Sequence, residues 1–260
     1  MNTKPILIVA GEPYSIFSEI FFKALKRRRF TRPIVLIASQ VLFVAQMKSL
    51  NFTFKINTVD SSKLNLEGLK KNYINLINVN FESKRSFNKI TNKSNSYIEK
   101  SFHIALKLLK TKKFSGLING PISKKNFLGE KFLGITEYLA SKTIKNDNIA
   151  MLIYHKNLSV SPLTTHLPLM DVNKKITKKK IINNVKLISD FYKKKLNISA
   201  RIAITGLNPH CESNYKSSEE KRFIIPAIKY LIKKKYKVSG PFAADTIFMS
   251  INKSKYDIIL

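Results

Sequence analysis

Cysteine is nearly absent: Cys211 is the only one in 260 residues. A single thiol excludes an intramolecular disulfide and a zinc cluster built from cysteines. Long apolar runs are absent too, since none reaches the roughly 18 to 20 residues of a membrane span. The first apolar run, Pro5 to Ala10, is too short for a secretory signal and leads directly into the turn Gly11-Glu12-Pro13. A cytoplasmic protein with no membrane association is the simplest expectation. No G-x-G-x-x-G, Walker A or G-x-S-x-G string occurs, so the commonest dinucleotide, P-loop and serine-hydrolase signatures are missing.

Acidic residues are scarce. Sixteen Asp and Glu stand against 47 Lys and Arg, for a net charge of +31. Such a balance raises the question of a nucleic-acid partner. The positive charge is mostly lysine, however, and comes with abundant Asn and Ile, the mixture an AT-rich genome produces. The lysines are spread along the chain, as in Lys70-Lys71, Lys112-Lys113, Lys178 to Lys180 and Lys233 to Lys235. No aromatic and basic interleaving suggests a base-stacking platform, and no zinc finger or helix-turn-helix appears. The expectation is no nucleic-acid partner, with the charge available to steer a phosphorylated substrate.

What is present is an α/β alternation. Pro5–Ala10, Ile34–Ala38 and Phe54–Val59 read as strands, with helices over Ser18–Arg28 and Val41–Leu50. Continuous apolar runs such as IVLIA point to parallel strands buried on both faces. Ser61–Ser94 reads as loops with one strand near Ile74–Val79. A helix over Ser96–Leu109 then precedes a strand at Gly116–Asn119. In the second half, Ile149–Tyr154 and Leu158–Pro162 read as paired strands. Ile176–Leu196 and Glu219–Lys234 read as helices and Arg201–Thr205 as a strand, and Val238–Pro241 leads into Ala244-Asp245-Thr246. A boundary near Gly129 divides the chain into domains at 1–129 and 130–260. The apolar ending Tyr256–Leu260 has no cap, turn or polar tail and reads as an interruption.

Ligands of open α/β sheets bind beyond the carboxyl ends of the strands. Four strings fall at such places: Gly11-Glu12-Pro13, Gly120-Pro121-Ile122-Ser123-Lys124, Thr164-Thr165-His166 and Asn208-Pro209-His210. His166 and His210 are candidate ligands of a divalent ion. Each taken alone also suits a hydrogen-bonded loop histidine, and His103 and His155 have weaker settings. A catalytic metal site usually needs three protein ligands. Asp171, Asp245, Glu212 or a partner subunit could supply the third. Asp245 is the best carboxylate, with a helix N-cap as its ordinary alternative. Lys124 and the backbone beside it could hold an anion. The residues themselves reach an α/β protein whose candidate ligands suit a metal-dependent enzyme acting on an anionic small molecule.

In order along the chain, these strings resemble those of the 4-hydroxythreonine-4-phosphate dehydrogenase family of vitamin B6 (pyridoxine) biosynthesis. Further matching pieces are Thr136-Glu137, Leu167-Pro168-Leu169, Glu219-Glu220, Ile225-Pro226-Ala227-Ile228, Gly240-Pro241 and Ala244-Asp245-Thr246. The resemblance implies two α/β/α domains like those of isocitrate and isopropylmalate dehydrogenases, here lacking the C-terminal part. It implies a homodimer sharing its active site, and an NAD-dependent oxidoreductase. The substrate would be a small phosphorylated amino acid, 4-phosphooxy-L-threonine, oxidised and decarboxylated with a divalent metal (Zn, Mg or Co). His166 and His210 would be two metal ligands, Thr136 a substrate contact and Asp245 a catalytic acid near the metal. The NAD-contacting residues are not assigned.

Three departures accompany the resemblance. The family's glycine-rich opening is replaced by Pro13-Tyr14-Ser15-Ile16-Phe17-Ser18. A substrate-binding histidine before the Thr-Glu pair is replaced by Ile135. The string carrying the third histidine would follow Leu260. Without that third histidine and the NAD-contacting segment that the resemblance places after it, the 260-residue chain is expected to bind metal very weakly and not to turn over. The alternative is an inactive paralogue kept as a binding protein.

Overall fold

A computed structural model describes residues 4–28, 30–143, 149–211, 215–249 and 255–260. The chain packs as two compact units, Met1–Ile135 and Thr136–Leu260.

The first unit is built on a parallel sheet of five strands: β1 (Ile6–Val9), β2 (Ile34–Ala38), β3 (Ile56–Thr58), β4 (Ile74–Asn78) and β5 (Gly116–Asn119), in the order β3-β4-β2-β1-β5. Leu7, Val9, Val35, Leu36, Ile37 and Leu76 are fully buried, as continuous apolar runs between helical layers require. Alternate residues face opposite sides. Ile8, Leu36 and Leu76 pack with the phenylalanines of α1 (Phe17–Arg27) and with Phe43 of α2 (Gln40–Ser49). Phe22 lies at 4.8 Å from Phe43 and 5.4 Å from Phe52, ring centre to ring centre. α3 (Asn95–Lys110) buries Ile98, Phe102 and Ala105 and packs along β1, β2 and β5.

The second unit has four parallel strands: β6 (Ser159–Val160), β7 (Ile202–Thr205), β8 (Val238–Phe242) and β9 (Ile258–Ile259), in the order β6-β9-β7-β8. Three helices precede or flank them: α4 (Ile135–Thr143), α5 (Leu169–Lys175) and α6 (Lys178–Phe191). A fourth, α7 (Ile225–Lys233), follows β7. Ile181, Val185, Ile188, Ala227 and Leu231 close over Ile202, Ile204 and Ile258. The other face is smaller, with Ala203, Ile247 and Ile259.

Both parallel sheets agree with the expected α/β class. The expected pairing of Ile149–Tyr154 with Leu158–Pro162 is corrected: it is one antiparallel bridge, Ile153 to Val160. Ser159 N and Ser161 N instead bond to Asp257 O and Ile259 O, so this segment is the parallel neighbour of β9. Helices α4 and α5 are additions. Among the described residues no helix is long and apolar enough to cross a membrane.

Candidate functional site

The two histidine strings both belong to the second unit. His210 sits in the loop after β7. The loop is shaped by Glu220, which is 2% exposed. Its Oε1 accepts from the backbone N–H of Leu207 at 2.8 Å and of Asn208 at 2.9 Å. Its Oε2 accepts from Asn208 Nδ2 at 2.7 Å. Burial by itself pushes the Glu220 pKa up; these hydrogen bonds outweigh it and hold the carboxyl below its ordinary value. Gly206 N–H also donates to Cys211 Sγ at 3.2 Å. A Cβ on Gly206 would overlap that sulfur and come within 3.0 Å of Glu220 Oε1, so the tight turn needs glycine there.

So folded, the loop turns His210 into a left-handed conformation, φ 57°. Its Nδ1 lies 3.5 Å from Asp245 Oδ2, and both side chains are largely open to solvent. Asp245 follows β8, which approaches β7 closely because a Cβ on Gly240 would overlap Ile204 O. Neighbouring strands thus bring together two residues 35 positions apart. The Nδ1 edge of the His210 ring thus faces the Asp245 carboxylate.

His166 is exposed and also left-handed, φ 55°. Its neighbour Thr165 donates from Oγ1 to Glu137 Oε1 at 2.8 Å. That bond ties the Thr164-Thr165-His166 string to the first turn of α4, where half-buried Thr136 precedes Glu137. Among the described residues Glu137 Oε2 is buried with no hydrogen-bond partner.

The other candidates lie elsewhere. Asp171 pairs with Lys174 at 2.8 Å in the first turn of α5. His155 Nδ1 accepts from Asn157 N, and His103 is exposed on α3. Glu212 lies outside the described residues. Among the described residues no group of three or more His, Cys, Asp or Glu is placed to hold a metal. Imidazole and carboxylate donors suit a borderline divalent ion in kind. In number they make part of a site.

Glu220, Glu137 and Glu12 had no role in the sequence reading. Their signal was rarity: acids are few in this chain, and these three fall inside the matching strings. The roles themselves depend on contacts between distant segments.

The family model described as pyridoxal phosphate biosynthetic protein PdxA matches residues 29–260. The chain belongs to this family. A PdxA relative from Sulfurihydrogenibium sp. (strain YO3AOP1), named 4-hydroxythreonine-4-phosphate dehydrogenase, is 36% identical over 256 residues. That alignment covers 94% of this chain and 75% of the relative. The structure of a putative 4-hydroxythreonine-4-phosphate dehydrogenase from Salmonella typhimurium superposes with a TM-score of 0.85 at 23% identity, covering 99% of this chain and 81% of the other. The enzyme of that name from Klebsiella pneumoniae gives 0.82 at 22% identity, covering 99% and 80%. Those two likenesses establish the PdxA fold, and the sequence matches establish membership in a family of enzymes named as dehydrogenases.

Proposed function

We propose that this protein oxidises and decarboxylates 4-phosphooxy-L-threonine with NAD, giving 3-amino-2-oxopropyl phosphate, CO₂ and NADH for pyridoxal phosphate biosynthesis. The observation that carries this reading is the joining of the family strings: Glu137 to Thr165 beside His166, and His210 to Asp245. In the reaction, NAD takes the hydride from the carbon bearing the 3-hydroxyl. The β-keto acid then loses CO₂ as its C–C bond breaks. The proton released by the hydroxyl balances the one taken up at the carbon that lost CO₂.

On this reading Thr136 contacts the substrate, and His166 and His210 present imidazole nitrogens to a divalent ion (Zn, Mg or Co). Asp245 orients His210 through Nδ1 and stands ready to exchange a proton with substrate. A bound metal would supply Lewis-acid stabilisation of negative charge on the substrate oxygen. A partner subunit of a homodimer completes the ligand set, and the two units correspond to the domains of an isocitrate/isopropylmalate dehydrogenase-like subunit, divided near residue 130. The excess of lysine favours a phosphorylated substrate by steering.

A second reading, an inactive binding protein, is favoured by Ile135, whose side chain offers no hydrogen bond where a substrate-binding histidine is expected. Incubating the folded protein with substrate, NAD and each metal, and analysing the products by mass spectrometry, separates the two. The first reading expects 3-amino-2-oxopropyl phosphate in step with NADH. Saturable substrate binding with no product would favour the second.

A further inference from the structure

The string that carries His166 is sparsely fastened. It leaves the sheet after β6, where Ser161 N–H donates to Ile259 O at 2.9 Å. Leu163 then packs against the second-unit core. The next main-chain bond comes at the start of α5, from Asp171 N–H to Pro168 O at 2.9 Å. Among the described residues no main-chain hydrogen bond holds residues 162–167. Their one side-chain hydrogen bond among those residues is the 2.8 Å contact from Thr165 Oγ1 to Glu137 Oε1.

His166 nevertheless holds φ 55° while exposed at the end of this string. A residue other than glycine stays in that conformation only where its surroundings impose it, and loose backbone prefers negative φ. Glu137 can impose it. It stands in the first turn of α4, where the helix N-terminus favours a carboxylate. That helix is anchored by buried Tyr138 and Ala140. A hydroxyl donating to a carboxylate makes a charge-assisted bond, stronger than one between neutral groups.

Stability alone accounts poorly for this carboxylate. Glu220 satisfies both of its oxygens. Glu137 satisfies one, and burying Oε2 without a donor opposes folding. Glu12 in the first unit is also held from one side, with Oε2 accepting from Ser94 Oγ at 3.0 Å. It and Ser94 are buried, however, and neither adjoins a candidate metal ligand.

We propose that Glu137 is a positioning residue. By accepting from Thr165 it holds His166 in its left-handed conformation and in fixed register with Thr136, the neighbour of Glu137 on α4. The inference rests on the reading of His166 as a metal ligand.

Three variants of the whole protein test it. Thr165→Val removes the hydroxyl and keeps the shape, Thr165→Ser keeps the hydroxyl, and Glu137→Ala removes the acceptor. Two readouts apply: zinc affinity by competition with a chromophoric chelator, and the three-bond HN–Hα coupling that reports φ at His166 in metal-free protein. Thr165→Val and Glu137→Ala should each weaken zinc binding about tenfold, the order of one charge-assisted hydrogen bond. Both should move the His166 coupling away from its left-handed value. The double variant should bind zinc no more weakly than either single one, because both remove the same bond. Thr165→Ser should retain the native affinity and coupling. A merely structural role would lower the melting temperature and move neither readout.

Native zinc affinity or an unmoved His166 coupling in folded Thr165→Val would overturn the inference, as would additive losses in the double variant. His166→Ala separates it from the reading it rests on. Zinc affinity undiminished in His166→Ala, or no zinc binding by the native protein, would remove His166 as a ligand. The His166 coupling would then decide the tether by itself. If Glu137→Ala does not fold, the two Thr165 variants still decide.

Discussion

His166 and His210 both hold positive φ angles, 55° and 57°. Such angles are uncommon outside glycine, although histidine tolerates them better than most residues. Backbone held there is stabilised by its surroundings, and at His210 the surroundings are identifiable. Glu220 collects two backbone N–H groups and the Asn208 amide into one buried carboxylate. Removing it by Glu220→Ala strands those donors, at a cost of about 1–3 kcal/mol. The denaturation midpoint of the variant should fall accordingly, and its affinity for zinc should drop because His210 is no longer held facing Asp245. Unchanged zinc affinity in a destabilised Glu220→Ala would assign Glu220 to stability alone.

Packing at the scale of elements accounts for the crowded turns. β1 and β5 run side by side, and the turns after them touch: Gly120 N–H donates to Val9 O at 2.7 Å. A Cβ on Gly120 would overlap Ala10 O and lie 2.8 Å from Phe17 of α1. Gly120→Ala should therefore destabilise by about 1–3 kcal/mol or more, read as a fall in melting temperature. In the second unit, β9 is tied to β7 by Asp257, which accepts from Arg201 N at 2.8 Å, Nη2 at 3.0 Å and Nε at 3.2 Å. Burial pushes the Asp257 pKa up, but the Arg201 hydrogen bonds and charge hold it below 3.8. A depressed carboxylate stabilises above its unfolded pKa and loses that contribution as pH falls through the folded value. Asp257→Asn should thus be less stable than the native protein above about pH 4, with the gap closing below it. A gap independent of pH would show that the charge does not contribute.

These same elements explain what was legible in the sequence. The first-unit strands stood out because continuous apolar runs have few other uses. The helices α1 and α3 stood out through an apolar face that α2 lacks. α4 and α5 escaped, having nine and seven residues and little room for a repeating apolar face. The expected hairpin at 149–162 failed because Ser159 and Ser161 found partners nearly a hundred residues away, which local pattern cannot signal. The histidine strings were visible as residue types at strand ends. Their tethers, Glu220 and Glu137, were not, since each is defined by a contact between segments.

At the scale of the whole molecule, the net charge of +31 raises the local concentration of anions around both units. That field would steer the phosphorylated substrate proposed above. The chain spans about three quarters of its Sulfurihydrogenibium relative, and within the described residues it places His210 beside Asp245 but no group of three or more His, Cys, Asp or Glu around a metal position. Ligand counting and family chemistry therefore make opposite forecasts: the first expects no turnover, the second expects the dehydrogenase reaction. NADH formation from 4-phosphooxy-L-threonine, followed in metal-loaded protein, in protein treated with a chelator, and in His166→Ala and His210→Ala, decides between them. The account predicts NADH with the loaded native protein, its loss on chelation with recovery on adding metal back, and its loss in both variants. No NADH from the folded, metal-loaded native protein, or turnover undiminished in either histidine variant, would contradict it.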